Sequence, residues 1–162
     1  MKLTLILLTA SGLIWAQKAT APGRDAHILY QTFFELQSTR ATRVEQQANG
    51  NGVAVGRWNQ QTAKELGLTT AEWAKALPII RQGHDNALKV RGEWRASGLP
   101  QKASRSADDR RAVQRFRNRE AMATNDAVQC LRTSLGPQAW AKLSQYVNST
   151  HKSRFQQAAL RK

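Results

Sequence analysis

"LTTAEWAK" (residues 68–75) and "LGPQAWAK" (residues 135–142) both run from a leucine through four residues to Trp-Ala-Lys. The shared frame is a helix start. In the first stretch Thr69 stands at a capping position and Glu72 three residues on, the spacing at which each side chain reaches the other's backbone N–H. Leu68 and Trp73 then flank the cap as a hydrophobic staple. In the second, Gly136 takes the cap and Pro137 the first helical position, where a missing N–H leaves no bond unmade. Leu135 and Trp140 again form the staple pair. Both tryptophans are therefore assigned to the core.

Working outward from these two starts, helical periodicity extends over most of the chain. The pattern predicts helices over about 25–47, 55–66, 70–96, 106–134 and 137–157. Asp25 caps the first, whose inner face carries Leu29, Phe33, Leu36 and Val44, widened by Tyr30 and Phe34. The run "ANGNG" (residues 48–52) ends it, because Asn and Gly accept the left-handed backbone of a helix stop. Val55, Trp58 and Leu66 are the inner residues of the second. In the third, Trp73, Leu77, Ile80, Ala87 and Trp94 share a face, and Pro78 should kink or interrupt the helix near Ala74. The polar segment at residues 97–106 links it to the fourth, opened by Ser106 with Asp109. That helix turns Val113, Phe116, Ala123, Ala127 and Leu131 inward. The fifth does so with Trp140, Leu143, Val147 and Phe155. No strand pattern competes, and the expected fold is all-α: one bundle-like domain of four to five helices.

The N-terminus points to export. Lys2 is followed by "LTLILLTASGLIWA" (residues 3–16), which carries no charge. This is the layout of a secretory signal peptide, with cleavage expected between Ala16 and Gln17. The stretch is shorter than the ~18–20 residues of a membrane span. Residues 17–162 would then form the helical domain, exported to the periplasm or the extracellular space, with no transmembrane segment.

The full chain carries 25 Lys and Arg against 11 Asp and Glu, a net charge of +14. That balance favours anionic partners without naming one. Cys130 is the sole cysteine, so no internal disulfide is available. A small buried side chain on a helix is its expected role.

The densest charge lies in "DDRRAVQRFRNR" (residues 108–119). Arg111, Arg115 and Arg119 recur at four-residue spacing opposite Val113 and Phe116, with Arg110 and Arg117 at the flank. Most such ridges are simply solvated. The functional alternative is an anion-binding surface, for which arginine's planar fork is better suited than lysine's point charge. No aromatic residue interleaves with this outer ridge, so a base-stacking nucleic-acid surface is not indicated. Three polar residues interrupt apolar stripes: His84, Glu120 and His151. Together they are the candidate ligands of a metal site inside the bundle, set against the plainer role of hydrogen-bonded core residues. Acyl-transfer, phosphate-loop, CxxC and dinucleotide motifs are missing, so nothing points to catalysis or to a cofactor.

With "LGLTTAEW" and "LGPQAW" in place, the chain resembles small exported all-helical bacterial proteins of unknown role, which pair a GLT..E helix start with a final helix opened by Leu-Gly. More loosely it resembles periplasmic helical stress proteins with an LTxxQ motif, a likeness that implies chaperone or metal-linked regulatory roles. Leu68, Thr69 and Glu72 match that motif with Glu for Gln. At Leu135, Gly136 replaces the Thr and Gln138 sits one position early. Neither likeness assigns a site residue.

The expectation is thus a non-catalytic, cofactor-free envelope protein that binds anionic or partly unfolded partners. The alternatives are a metal-binding or metal-responsive periplasmic bundle and a small secreted enzyme with an unrecognised site.

Overall fold

The computed structural model describes residues 26–99 and 106–159; the side chains of Ala26 and of residues 151–159 fall outside that description. The expected signal peptide, with Ala16 and Gln17, also lies outside the described residues. Among the described residues four helices follow one another: α1 (Ala26–Ala48), α2 (Gly52–Glu65), α3 (Thr70–Ala96) and α4 (Ala107–Ala159). No strand occurs among the described residues, and none of their helices is long and apolar enough to cross a membrane.

The first of the two opening stretches folds as its residues dictate. Thr69 Oγ1 accepts the Glu72 backbone N–H at 3.2 Å, and Glu72 Oε2 accepts the Thr69 N–H at 2.7 Å. Leu68 and Trp73 are both buried. Gly67, at φ +69°, ends α2 just upstream, and the Leu68 N–H reaches back to the Ala63 carbonyl at 2.9 Å. At the second stretch α4 breaks: Gly136 takes φ 72°, ψ 173°, a conformation essentially restricted to glycine. Residues 107–135 and 137–159 are therefore two limbs joined by one non-helical residue. The sequence pattern of two helices meeting at Gly136 is retained.

One helix start and one expected break differ from expectation. α2 begins at Gly52 rather than Val55, because the Asn51 side chain accepts the N–H groups of Val53 and Ala54 and caps the helix there. Pro78 does not interrupt α3. Ala74 and Pro78 are both exposed, and on the solvent side of a helix water can satisfy a carbonyl that loses its partner to proline. Cys130 also departs from its expected buried role, since it is exposed on α4.

The core is assembled from all four helices. Tyr30, Phe33 and Phe34 of α1 meet Trp73, Ala76 and Ile80 of α3 and Leu131, Leu143 and Val147 of α4, with Ala63 of α2 closing one side. Trp73 is fully buried, with its indole donating to Asn59 Oδ1 at 2.9 Å and packed edge-on to Trp58. Trp140 is only partly buried and stacks on Tyr30 with ring centroids 5.6 Å apart. The inner face of α1 is rotated from the expected stripe. Gln37, Ser38 and Ala41 are buried, whereas Leu36 and Val44 are half-exposed.

The pairs Gly83–Ala127, Arg91–Glu120 and Trp94–Phe116 step in opposite directions along α3 and α4. The two helices therefore run antiparallel, and the C-terminal end of α3 lies beside the N-terminal end of α4. The pairs Glu45–Arg81 and Glu35–Arg91 show the same for α1 and α3.

Candidate functional site

The antiparallel pairing gathers charge at one end of the molecule. The last turns of α3 contribute Arg91 and Arg95, and the first turns of α4 contribute Arg110, Arg111, Arg115, Arg117 and Arg119. Among the described residues these seven arginines share the region with five carboxylates: Glu93, Asp108, Asp109 and Glu120 on the same two helices, and Glu35 of α1 facing Arg91.

The three ridge arginines do not behave alike. Arg111 is well exposed, and its nearest carboxylate oxygen, on Asp108, stands 3.9 Å away. Arg115 is exposed and makes no ion pair among the described residues. Arg119 instead reaches the Glu93 carboxylate of α3 at 2.6 Å, with its guanidinium 5.6 Å from the centre of the Phe116 ring. The cause is helical geometry. Residues four apart advance by about 40° around a helix, so the third member of the ridge has rolled about 80° from the first. That turn carries Arg119 off the outer face and onto the α3 side. Arg117, on the opposite flank of α4, is exposed and unpaired among the described residues.

Beneath the ridge lies a polar cluster at the junction of three helices. Glu120 of α4 accepts hydrogen bonds from Gln31 Nε2 of α1 and Arg91 Nε of α3. Its side chain is the more buried of the ion pair. The other Arg91 contact is long, with Nη1 standing 4.0 Å from Glu35 Oε2. Arg91, Trp94, Arg95 and Glu120 line a recess of about 210 Å³. Trp94 stacks nearly parallel on Phe116, at 11° and 6.4 Å between centroids, and its buried indole N–H has no hydrogen-bond partner.

Of the three candidate metal ligands, His84 and Glu120 stand apart. His84 lines an open groove between α1 and α3 with Ser38, Thr42, Arg43 and Asp85. Glu120 is tied to Arg91, seven residues further along α3 and hence about 10 Å away in helix rise. The His151 side chain lies outside the described residues. Among the described residues no group of three or more His, Cys, Asp or Glu could hold a metal ion. Glu120 is satisfied by an arginine and an amide instead.

Sequence reasoning missed Gln31, Arg91 and Arg95, and it read Trp94 only as core. The available signal was the i, i+3, i+4 placement of Arg91, Trp94 and Arg95, which puts a basic pair and an aromatic on neighbouring positions of one helix.

No family model, curated protein or solved structure matches the chain.

Proposed function

We propose that the protein is a binding protein whose basic end, formed by α4 and the last turns of α3, engages an anionic partner of the cell envelope. The observation supporting this reading is the exposure of Arg111, Arg115 and Arg117 at an end of the molecule that holds few carboxylates. Like charges at helical spacing repel by a few tenths of a kcal/mol per pair, a cost to the isolated chain. An extended anion laid along them removes that repulsion. Arginine forks add paired hydrogen bonds to carboxylate, sulfate or phosphate oxygens. Attraction between exposed charges is screened over ~10 Å at 0.1 M salt, so binding of this kind weakens as salt rises.

The experiment is retention on immobilised heparin, used as an anionic-polymer probe. Changing Arg111, Arg115 and Arg117 to Gln should lower the eluting salt concentration well beyond the effect of changing Arg40, Arg57 and Lys64, three exposed basic residues on α1 and α2. Equal losses would show that only total charge matters and would overturn the reading.

A further inference from the structure

We infer that Gly136 and Pro137 form the hinge of an exchangeable arm. With Gly136 bent, the C-terminal limb of α4 packs on its own α1; with Gly136 helical, it packs on the α1 of a second copy of this chain. None of the ridge arginines takes part, so the hinge stands apart from the anion-binding reading.

The bend is large. Gln31 of α1 donates to Glu120 in the N-terminal limb. Its neighbour Tyr30 is hydrogen-bonded with Ser144 and stacks on Trp140, both in the C-terminal limb. In an unbroken helix residues 120 and 144 would lie about 36 Å apart. Side chains of two adjacent residues, whose Cα atoms are about 3.8 Å apart, cannot reach both ends of such a span. The limbs therefore fold toward each other at Gly136, and one turn of α1 holds both. Through this bend the C-terminal limb delivers Leu143 and Val147, both fully buried, to the core. It also sets Tyr146 edge-on to Phe33, with ring centroids 6.4 Å apart.

One residue carries the bend. At φ 72°, ψ 173° Gly136 occupies a region essentially closed to residues with a side chain. A Cβ there would meet nothing within 4 Å, so the glycine is required by its backbone and not by packing. Pro137 biases the same choice. It disfavours the helical conformation in the residue before it, and inside a continuous helix it would lose a hydrogen bond and crowd the Thr133 carbonyl. Glycine thus permits the bend, and proline penalises the straight form. A straightened α4 carries its C-terminal limb away from Tyr30 and Phe33 and uncovers apolar surface on both. The occupant that fits is a second copy, which presents the same α1 in return. Each core contact then reforms between chains in a twofold pair, and only the hinge differs.

Gly67 and Lys142 supply a reporter. A Cβ on Gly67 would stand 3.7 Å from the Lys142 Cβ, within the range of about 3.5–4.5 Å that a disulfide spans. The full chain carrying Gly67→Cys, Lys142→Cys and Cys130→Ser should, under mild oxidation, bridge positions 67 and 142 within one chain. The strain of a side chain at position 67, φ +69°, is common to every variant compared. Adding Gly136→Ala and Pro137→Ala should move that bridge between chains and double the mass measured by light scattering, with the helical circular-dichroism signal kept. Adding Pro137→Ala alone, with refolding at high protein concentration, should raise the between-chain fraction above that of the parent. A straightened variant that folds and keeps the within-chain bridge would overturn the inference. If that variant does not fold, the Pro137→Ala chain decides: between-chain bridging above the parent supports the hinge, and none overturns it.

Discussion

Gly83 of α3 faces Ala127 of α4 so closely that a Cβ on the glycine would stand 2.6 Å from the alanine's Cβ, with two ring carbons of Phe34 at 3.1 Å. Gly83 is therefore the point where α1, α3 and α4 come together. An alanine there gains about 1 kcal/mol in helix propensity, but neither neighbour is a flexible chain end that could swing aside. Overpacking of such contacts costs about 1–3 kcal/mol. Gly83→Ala should lower stability by a net of up to ~2 kcal/mol in urea denaturation. Adding Ala127→Gly should return part of that loss, giving a non-additive cycle because the two residues share one contact. Simple additivity would show that the helices do not meet there.

The two tryptophans should separate in stability assays. Trp73 is fully buried and hydrogen-bonded to Asn59, so Trp73→Ala should cost about 3–5 kcal/mol. Trp140 keeps part of its ring in water and contributes mainly its stack on Tyr30. Trp140→Ala should cost clearly less, and thermal melts of both variants would show the order. Equal losses would contradict the difference in burial.

How much of this was legible in the sequence depends on where each signal resides. Helix starts and stops are local chemistry, and Thr69, Glu72, Gly67 and Gly136 act as their neighbours in sequence require. The rotation of α1 was not legible, since its inner face turns Gln37 and Ser38 inward in place of Leu36 and Val44. That choice is made by the partners α1 packs against, which no local pattern contains. The same holds at the candidate site. Four-residue spacing placed Arg119 on a ridge, but its destination depended on Glu93 lying across an antiparallel helix. Gly83 left a faint trace as a small residue among the inward positions Ala76, Ile80, Ala87 and Val90.

The capping box carries a pH signature. Hydrogen bonds from the Thr69 backbone and side chain hold the Glu72 carboxyl below its usual value of 4.5. Folding thus favours the ionised form, and the contribution is present above the unfolded value and lost as pH falls through the folded one. The stability difference between the unaltered chain and Glu72→Gln should be constant near neutrality and shrink on acidification through the carboxylate range. A difference independent of pH would show that the box is not formed in solution.

Tyr30 gives the opposite sign. Burial raises its phenol above the usual 10.0, against the smaller lowering effect of a hydrogen bond with Ser144. Folding thus favours the neutral form, so its contribution is complete below pH 10 and is lost as pH rises through the folded value. Tyr30→Phe should remove part of the alkaline loss of stability seen in denaturation at high pH. An unchanged alkaline limb would mean that the hydroxyl titrates freely.

Arg119 should act as a clamp between α3 and α4 rather than as a member of the proposed anion-binding ridge. Its 2.6 Å contact with Glu93 and its position over Phe116 commit the guanidinium to the helix interface. The pair is half-exposed, so its strength is limited by solvent. Ion pairs of this kind contribute about 0.2–1 kcal/mol, and a cation over an exposed ring about 0.5–1 kcal/mol. Arg119→Gln should therefore lower stability by roughly 1 kcal/mol, and Glu93→Gln by less, since it leaves the ring contact in place. On heparin the two arginines should part company: Arg115→Gln should reduce retention more than Arg119→Gln, although each removes one positive charge. If both lose retention equally while neither loses stability, Arg119 points outward in solution and the full three-arginine ridge is restored.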